Sequence, residues 1–542
     1  FYQSILEKTP RYPFVCIYGI GNALLIKNLA KHYKHLFVFE SEIELFILAL
    51  STIDLSEELK VYKVVLFDCV AKDLEIQIAM IFDQQSILEY LSLYEMFISS
   101  HYYLKYYETS ILSLNELCIK SASVAIRNAD ITCFLPLLTH GQFLQNIPSM
   151  LESIPFQRIL SQRKNKFDNA IVVSAGPSLA KQLPLLKACQ DKAVIFCADG
   201  ALSMLEKEGI VPDYVTNLDF TDLAMKFFQN KENKTSLNIL SCATHPNVAH
   251  SLKAENCMIV LRNKALYQRF NFNDFGYIDT GTHVSHFSYT LALALGFKNI
   301  IMIGQDLAFD EEGNSHSKGF DFGEKFSGEE NIDKLKIPAY AGKGEVLTHT
   351  TWNDYRIKLE YLFACNDQKA KFYNATEGGA RINFTEELSF KECCEKLLTK
   401  EKPKFELPKS LTKNRSDKLL VKFKEKIQKD QENAKRFLDD ALALKQILEN
   451  ILSKDFILPL EFLEKVYQNI ENFNHSLDED EFIQDEVLRG AFAYRGKLIS
   501  DVLKLHIKDE THFITAYIKA YHEWLLYFVE KLEQKYKSLS KV

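Results

Sequence analysis

The sequence predicts an α/β protein: a central, doubly wound, mostly parallel sheet of Rossmann type, with a smaller α/β unit before it and a helical bundle after it. Three observations carry this. Short apolar runs rich in β-branched residues recur between 170 and 304, Ala170-Ile171-Val172-Val173 being the plainest, and read as strands buried on both faces. Helical stretches alternate with them, which indicates a parallel sheet covered on both sides. Beyond the Pro403 and Pro408 linker the period becomes helical and stays so.

Residues 1–150 form the first unit. Phe14-Val15-Cys16-Ile17-Tyr18 reads as a strand, followed by Gly19-Ile20-Gly21-Asn22 and a helix over 23–33. A second strand over 36–39 ends at Glu40, and a third covers 64–68. A glycine turn after the first strand and an acid after the second outline a dinucleotide-binding unit. Leu24 stands where the third glycine of that fingerprint belongs. The unit therefore reads as a degenerate scaffold or docking domain, with an active cofactor site as the alternative. Residues 86–126, rich in aromatic side chains, read as a helical connector.

The central domain, 151–400, has strands at 170–174, 193–197, 214–218, 238–242, 257–261 and 299–304, with helices at 179–189, 200–208 and 284–295. The long polar stretch 309–350 reads as a lid or binding loop. Residues 401–542 form the third domain. Its helices at 413–452, 458–474, 480–506 and 510–538 carry apolar stripes such as Leu419, Leu420, Phe423 and Ile427. These suit a bundle that binds a partner.

At 542 residues the chain has room for two to four domains and a large core. A net charge of -7 argues against a general nucleic-acid binder, whose affinity comes from phosphate neutralisation. The 11 cysteines are scattered without a C-x-x-C pair, which reads as reduced thiols in a cytoplasmic protein. No apolar run reaches the roughly 18–20 residues of a membrane span.

Candidate site residues gather where an open α/β sheet binds its ligands, beyond the carboxyl ends of the strands. They are Ser174, Gly176, Pro177 and Ser178 after the first central strand, then Asp199 and Gly200, then Asn217 and Asp219. Thr280, Gly281, Thr282 and His283 precede the helix at 284, and Gly304, Gln305 and Asp306 follow the strand at 299. A strand, a Gly-Pro-Ser turn and a helix capped by Ser178 would aim backbone N–H groups at one point, where a phosphate would sit. A simple β-to-α turn is the alternative. Asp199, Asp219 and Asp306 suit Mg²⁺ or, being separated and not a D-x-D pair, caps and orientation. The sequence requires neither metal nor a tightly bound cofactor.

Ser174-Ala175-Gly176-Pro177-Ser178, Cys197-Ala198-Asp199-Gly200, Asn217-Leu218-Asp219, Asp279-Thr280-Gly281-Thr282, Gly304-Gln305-Asp306-Leu307-Ala308-Phe309 and Glu377-Gly378-Gly379-Ala380-Arg381-Ile382 resemble successive motifs of the bacterial motility accessory factor (Maf) family. The resemblance spans about 165–385. It implies a flagellin glycosyltransferase that attaches pseudaminic, legionaminic or related nonulosonic acids to Ser or Thr. The central domain is also similar to the bacterial sialyltransferases that use a CMP-activated sugar, although Ser174 replaces the first glycine of their Gly-x-Gly-Pro-Ser turn. Carried over, Gly176, Pro177 and Ser178 would face the donor phosphate or ribose, Asn217 the phosphate or cytosine side, and Thr280 and Gly281 the cytidine pocket. Flagellin would be the acceptor, met by the N-terminal unit and the C-terminal helices before export.

Such a transfer passes through an oxocarbenium-like transition state and needs a base for the acceptor hydroxyl. Histidine suits the task. His316 in Gly313-Asn314-Ser315-His316 resembles the family pattern and is preferred, with His349 in Leu347-Thr348-His349-Thr350 as the second candidate. Asp306 completes the catalytic set. His283 and His286 read as cap or packing residues, and tyrosines, Lys318, Lys343 or Arg381 would steady the leaving phosphate. Two rival readings are an Mg²⁺- and ATP-dependent enzyme like the archaeal-type hydroxymethylpterin pyrophosphokinases, and a flagellin-binding chaperone with a vestigial nucleotide pocket.

Overall fold

A computed structural model describes residues 1–228, 236–326, 333–342, 344–454 and 458–541. Their contacts divide into two compact units. One joins Phe1–Leu137 to Lys429–Ser540, so the two ends of the sequence share a single body, and the other comprises Leu138–Gln428.

The first unit is built on a four-stranded parallel sheet of β1 (Phe14–Tyr18), β2 (His35–Glu40), β3 (Val64–Asp68) and β4 (Met96–Ile98), in the order β3-β2-β1-β4. β4 corrects the reading of 86–126 as wholly helical. A three-residue strand is too short to show a period, and it forms because the edge of β1 is open to it. The helix expected over 23–33 ends at Leu29, where Lys31 and His32 turn to i−3 carbonyls. The part of the helix Lys413–Leu452 from Lys429 onward and three later helices, Leu460–Asp478, Arg489–Leu503 and Glu510–Leu539, complete the unit. The expected start at 480 is displaced to 489, because Asp480 and Asp485 accept nearby backbone amides and hold turns there. Arg495 and Glu89, both buried, form a two-pronged ion pair between the two sequence segments of this unit.

The second unit contains a nine-stranded parallel sheet in the order β10-β9-β8-β7-β6-β5-β11-β14-β15. Its strands are β5 (Asn169–Val173), β6 (Val194–Ala198), β7 (Tyr214–Asn217), β8 (Leu237–Ser241), β9 (Cys257–Arg262), β10 (Tyr277–Ile278), β11 (Asn299–Ile303), β14 (Lys371–Asn374) and β15 (Glu386–Glu387). β5, β6 and β8 are buried along their whole length, as their apolar runs require. Helices Leu179–Cys189 and Val284–Ala294 lie where the sequence puts them. Between Lys334 and His349 the expected loop contains an antiparallel hairpin of β12 (Lys334–Pro338) and β13 (Glu345–His349). Among the described residues no helix is long and apolar enough to cross a membrane.

Candidate active site

The chain runs outward from β5 through β6 to β10 and then returns to place β11 on the other side of β5. That reversal opens a crevice at the carboxyl ends of β5 and β11, the place where open α/β sheets bind ligands. Val173 pairs with Ile303, so both strands end level. Beyond them Ser174 N donates to Ile303 O at 3.0 Å, and Gly176 N to Gly304 O at 2.8 Å. A side chain at Gly176 has no room, since a Cβ there would lie 2.1 Å from Asp306 Oδ2 and 2.5 Å from Gly304 O.

The crevice encloses a cavity of about 230 Å³. Ser174 and Gly176 form one wall, Asp199 and Gly200 a second, and Gly304, Gln305 and Asp306 a third. The wall facing them comes from His283, Val284 and Ser285 at the start of a helix, and from Trp352 and Tyr355. His316 and Phe320 close it from the expected lid. That lid is fastened down: Ser317 N donates to Ala175 O at 2.9 Å, and Ser317 Oγ accepts from Ala180 N at 3.0 Å. A hydroxyl chain lines the floor, with Ser285 donating to Ser174 at 2.7 Å and Ser174 donating to Gln305 Oε1 at 2.9 Å.

The Gly-Pro-Ser turn differs from its expected role as a phosphate seat. Ser178 has helical dihedrals and its side chain caps nothing. Its hydroxyl donates instead to Asp306 Oδ2 at 2.8 Å, and its amide faces both carboxylate oxygens at 3.3 Å. A carboxylate delivered by β11 thus occupies the helix N-terminus, and neither Pro177 nor Ser178 lines the cavity. Burial raises Asp306 to about 6, against the pull of the Ser178 hydrogen bonds.

His316 stacks on Phe320 with ring centroids 4.0 Å apart. Its Nδ1 lies 2.9 Å from Ser315 Oγ, which also has the carbonyls of Glu324 and Phe326 within reach. The single hydroxyl proton goes to a carbonyl, so Ser315 accepts from Nδ1–H and the ring's lone pair falls to Nε2. Burial lowers His316 to about 4, against the pull of a hydrogen bond to the Phe326 carbonyl, which leaves the ring neutral at pH 7. His349 is buried against Trp352, centroids 4.1 Å apart, and does not line the cavity.

The remaining predicted residues stand behind or beside the site. Asn217 is fully buried and donates to Asp199, holding that carboxylate toward the cavity. Asp219 accepts from the amide and hydroxyl of Thr221, which makes it a turn residue. Thr280, Gly281 and Thr282 do not line the cavity, because the turn packs on His286. Lys318 and Arg381 are exposed away from it, and Lys343 lies outside the described residues. No Lys or Arg is found among the described lining residues. Nor do three or more His, Cys, Asp or Glu side chains come together to hold a metal among the described residues.

The sequence places His283 with the candidate residues before its helix and reads it as a cap or packing residue. It is the N-cap, accepting from His286 N at 3.3 Å, and it also lines the cavity. Trp352, Tyr355 and Phe320 were missed. Their one signal was the aromatic content of the stretch after 309.

In the N-terminal unit, the Gly19 turn is filled. A Cβ at Gly19, whose φ is +88°, would lie 2.1 Å from the Tyr103 ring. Glu40 accepts from the amides of Ile20, Ser41 and Glu42 and from the Tyr103 hydroxyl. The Tyr103 ring thus packs on the glycine turn, and backbone amides and the Tyr103 hydroxyl engage the Glu40 carboxylate.

A family model described as 6-hydroxymethylpterin diphosphokinase MptE-like matches residues 141–312, the stretch that includes β5 to β11. No curated protein matches the chain. Among solved structures, a Maf glycosyltransferase from Magnetospirillum magneticum AMB-1 superimposes with a TM-score of 0.61 at 15% identity, covering 98% of this chain and 80% of that one. The motifs gathered at the crevice and this superposition agree: the chain has the fold of a Maf glycosyltransferase.

Proposed function

We propose that this protein is a glycosyltransferase that moves a nonulosonic acid of the pseudaminic or legionaminic type from its CMP conjugate to Ser or Thr of flagellin in the cytoplasm. The observation that carries the reading is the fold it shares with a Maf glycosyltransferase over 98% of its length. A cavity at the sheet reversal with a neutral imidazole on its wall supports it. The acceptor oxygen bonds to the anomeric carbon as the bond from that carbon to the CMP phosphate oxygen breaks. The bonding electrons leave with CMP, the hydroxyl proton passes to His316 Nε2, and the configuration inverts. Asp306 acts as a positioning residue that fixes the Gly176 turn.

Intact-mass analysis of flagellin incubated with the protein and CMP-pseudaminic or CMP-legionaminic acid tests this, with His316→Ala, His349→Ala and EDTA controls. Stepwise gains of one sugar mass are expected, and His316→Ala should slow them sharply. Tight flagellin binding with no mass gain from either donor would favour the chaperone reading. The match over 141–312 favours a second reading, diphosphate transfer from ATP to a hydroxymethylpterin, and AMP release on mixing those two substrates would reveal it.

A further inference from the structure

His283 carries a feature that its place as a helix cap does not use. Its Nδ1 accepts the His286 amide, so that nitrogen bears no proton. The ring is neutral, since burial and the nearby His286 and Lys358 all disfavour its charge. A neutral imidazole whose Nδ1 is an acceptor has its hydrogen on Nε2. That Nε2 is buried and has no hydrogen-bond partner. Stacking on Tyr355, with centroids 4.6 Å apart and planes 29° apart, fixes the direction of the ring.

The surroundings define what would accept this hydrogen bond. The cavity has no Lys or Arg among its described lining, and two carboxylates, Asp199 and Asp306, already stand in its walls. The N-terminus of the 179–189 helix, the obvious seat for an anion, is held by Asp306. The helix Val284–Ala294 begins at the cavity with Val284 and Ser285, whose amides belong to a first turn that has no intrahelical acceptors. We propose that His283 Nε2–H, beside that first turn, is the hydrogen-bond donor that holds an anionic oxygen of the sugar-nucleotide donor. This rests on the glycosyltransferase reading above. His283 and His316 then divide the work by tautomer: one presents a proton to the donor, and the other a lone pair to the acceptor hydroxyl.

His283→Asn is the informative variant, because asparagine keeps a cap oxygen but is too short to reach the cavity as the imidazole does. Calorimetric titration would compare CMP with cytidine, which reads the phosphate, and free N-acetylneuraminic acid with its methyl ester, which reads the carboxylate. The expected result is a loss of about tenfold or more in affinity for the anionic member of one pair, with the neutral member unchanged. Equal binding of every ligand by variant and unaltered protein overturns the proposal. So does equal weakening of both members of each pair in a variant whose thermal melt is unchanged. If the variant does not fold, nitrogen-15 NMR of the unaltered protein decides: a protonated Nδ1 on His283 overturns the assignment, and a protonated Nε2 that shifts on adding CMP or the sugar acid supports it. Failure of the unaltered protein to bind CMP at all counts against the donor reading itself and is seen before any variant is made.

Discussion

The Asp306 carboxylate accepts the Ser178 hydroxyl at 2.8 Å, so the chain seals with its own acid the helix end that its Gly-Pro-Ser turn presents. The seal has a pH signature. Burial raises Asp306 to about 6, above its value in the unfolded chain, so the folded state binds the proton more tightly. The stability this contributes is complete below the unfolded value near 4 and is lost as pH rises through about 6. Asp306→Asn is expected to flatten the stability curve of the central unit over that window by roughly 3 kcal/mol. Urea unfolding followed by Trp352 fluorescence in a Trp524→Phe background would measure it, since these are the chain's 2 tryptophans.

Gly176 leaves no alternative to glycine. In Gly176→Ala the new methyl meets both the Asp306 carboxylate and a backbone oxygen, and only the former can turn away. A loss of about 1–3 kcal/mol is expected in the same unfolding assay, together with weaker CMP binding. Normal stability and normal CMP affinity would show that the turn yields.

For His316, the expected loss of turnover in the alanine variant is about 10²–10⁴-fold, with CMP affinity retained. Because burial holds this imidazole near 4, its protonation would not limit the rate between pH 5.5 and 8. The acid limb of kcat/KM should therefore fall below pH 5, where an ordinary histidine would place it near 6.5. A limb at 6.5 that His316→Ala abolishes would contradict the environment described for this ring.

Arg495 and Glu89 are 7% and 5% exposed, so removing one partner strands the other's charge. Arg495→Met is expected to cost about 3–5 kcal/mol in the unit that contains Trp524. The double change with Glu89→Leu should recover most of that cost. Urea midpoints read from Trp524 in a Trp352→Phe background would show whether it does.

Much of the fold is legible locally. The run at 170–173 is buried over its whole length, and the helix at 179–189 has the expected bounds, because apolar period and turn residues are properties of neighbours. The residues around the crevice were also legible, since they follow strand ends. What was hidden depends on partners far away in sequence. Ser178 looked like a cap until Asp306, 128 positions on, supplied the carboxylate it bonds. His283 read as a cap or packing residue, because nothing near it in sequence shows that Tyr355, 72 positions on, stacks on its ring. Gly19 and Gly21 kept the outline of a nucleotide turn, and no local pattern revealed that Tyr103 fills it.

The body built from Phe1–Leu137 and Lys429–Ser540 also has a consequence in time. A ribosome delivers its first part and then some 400 further residues before its last helix emerges. At 5–20 residues per second that interval is roughly 20–80 s. For most of it Glu89 has no Arg495, and the faces that the last helices will cover lie open. Newly made chains should therefore lean on chaperones at this end, while the central body, continuous in sequence, is free to close as soon as its own last strand is made.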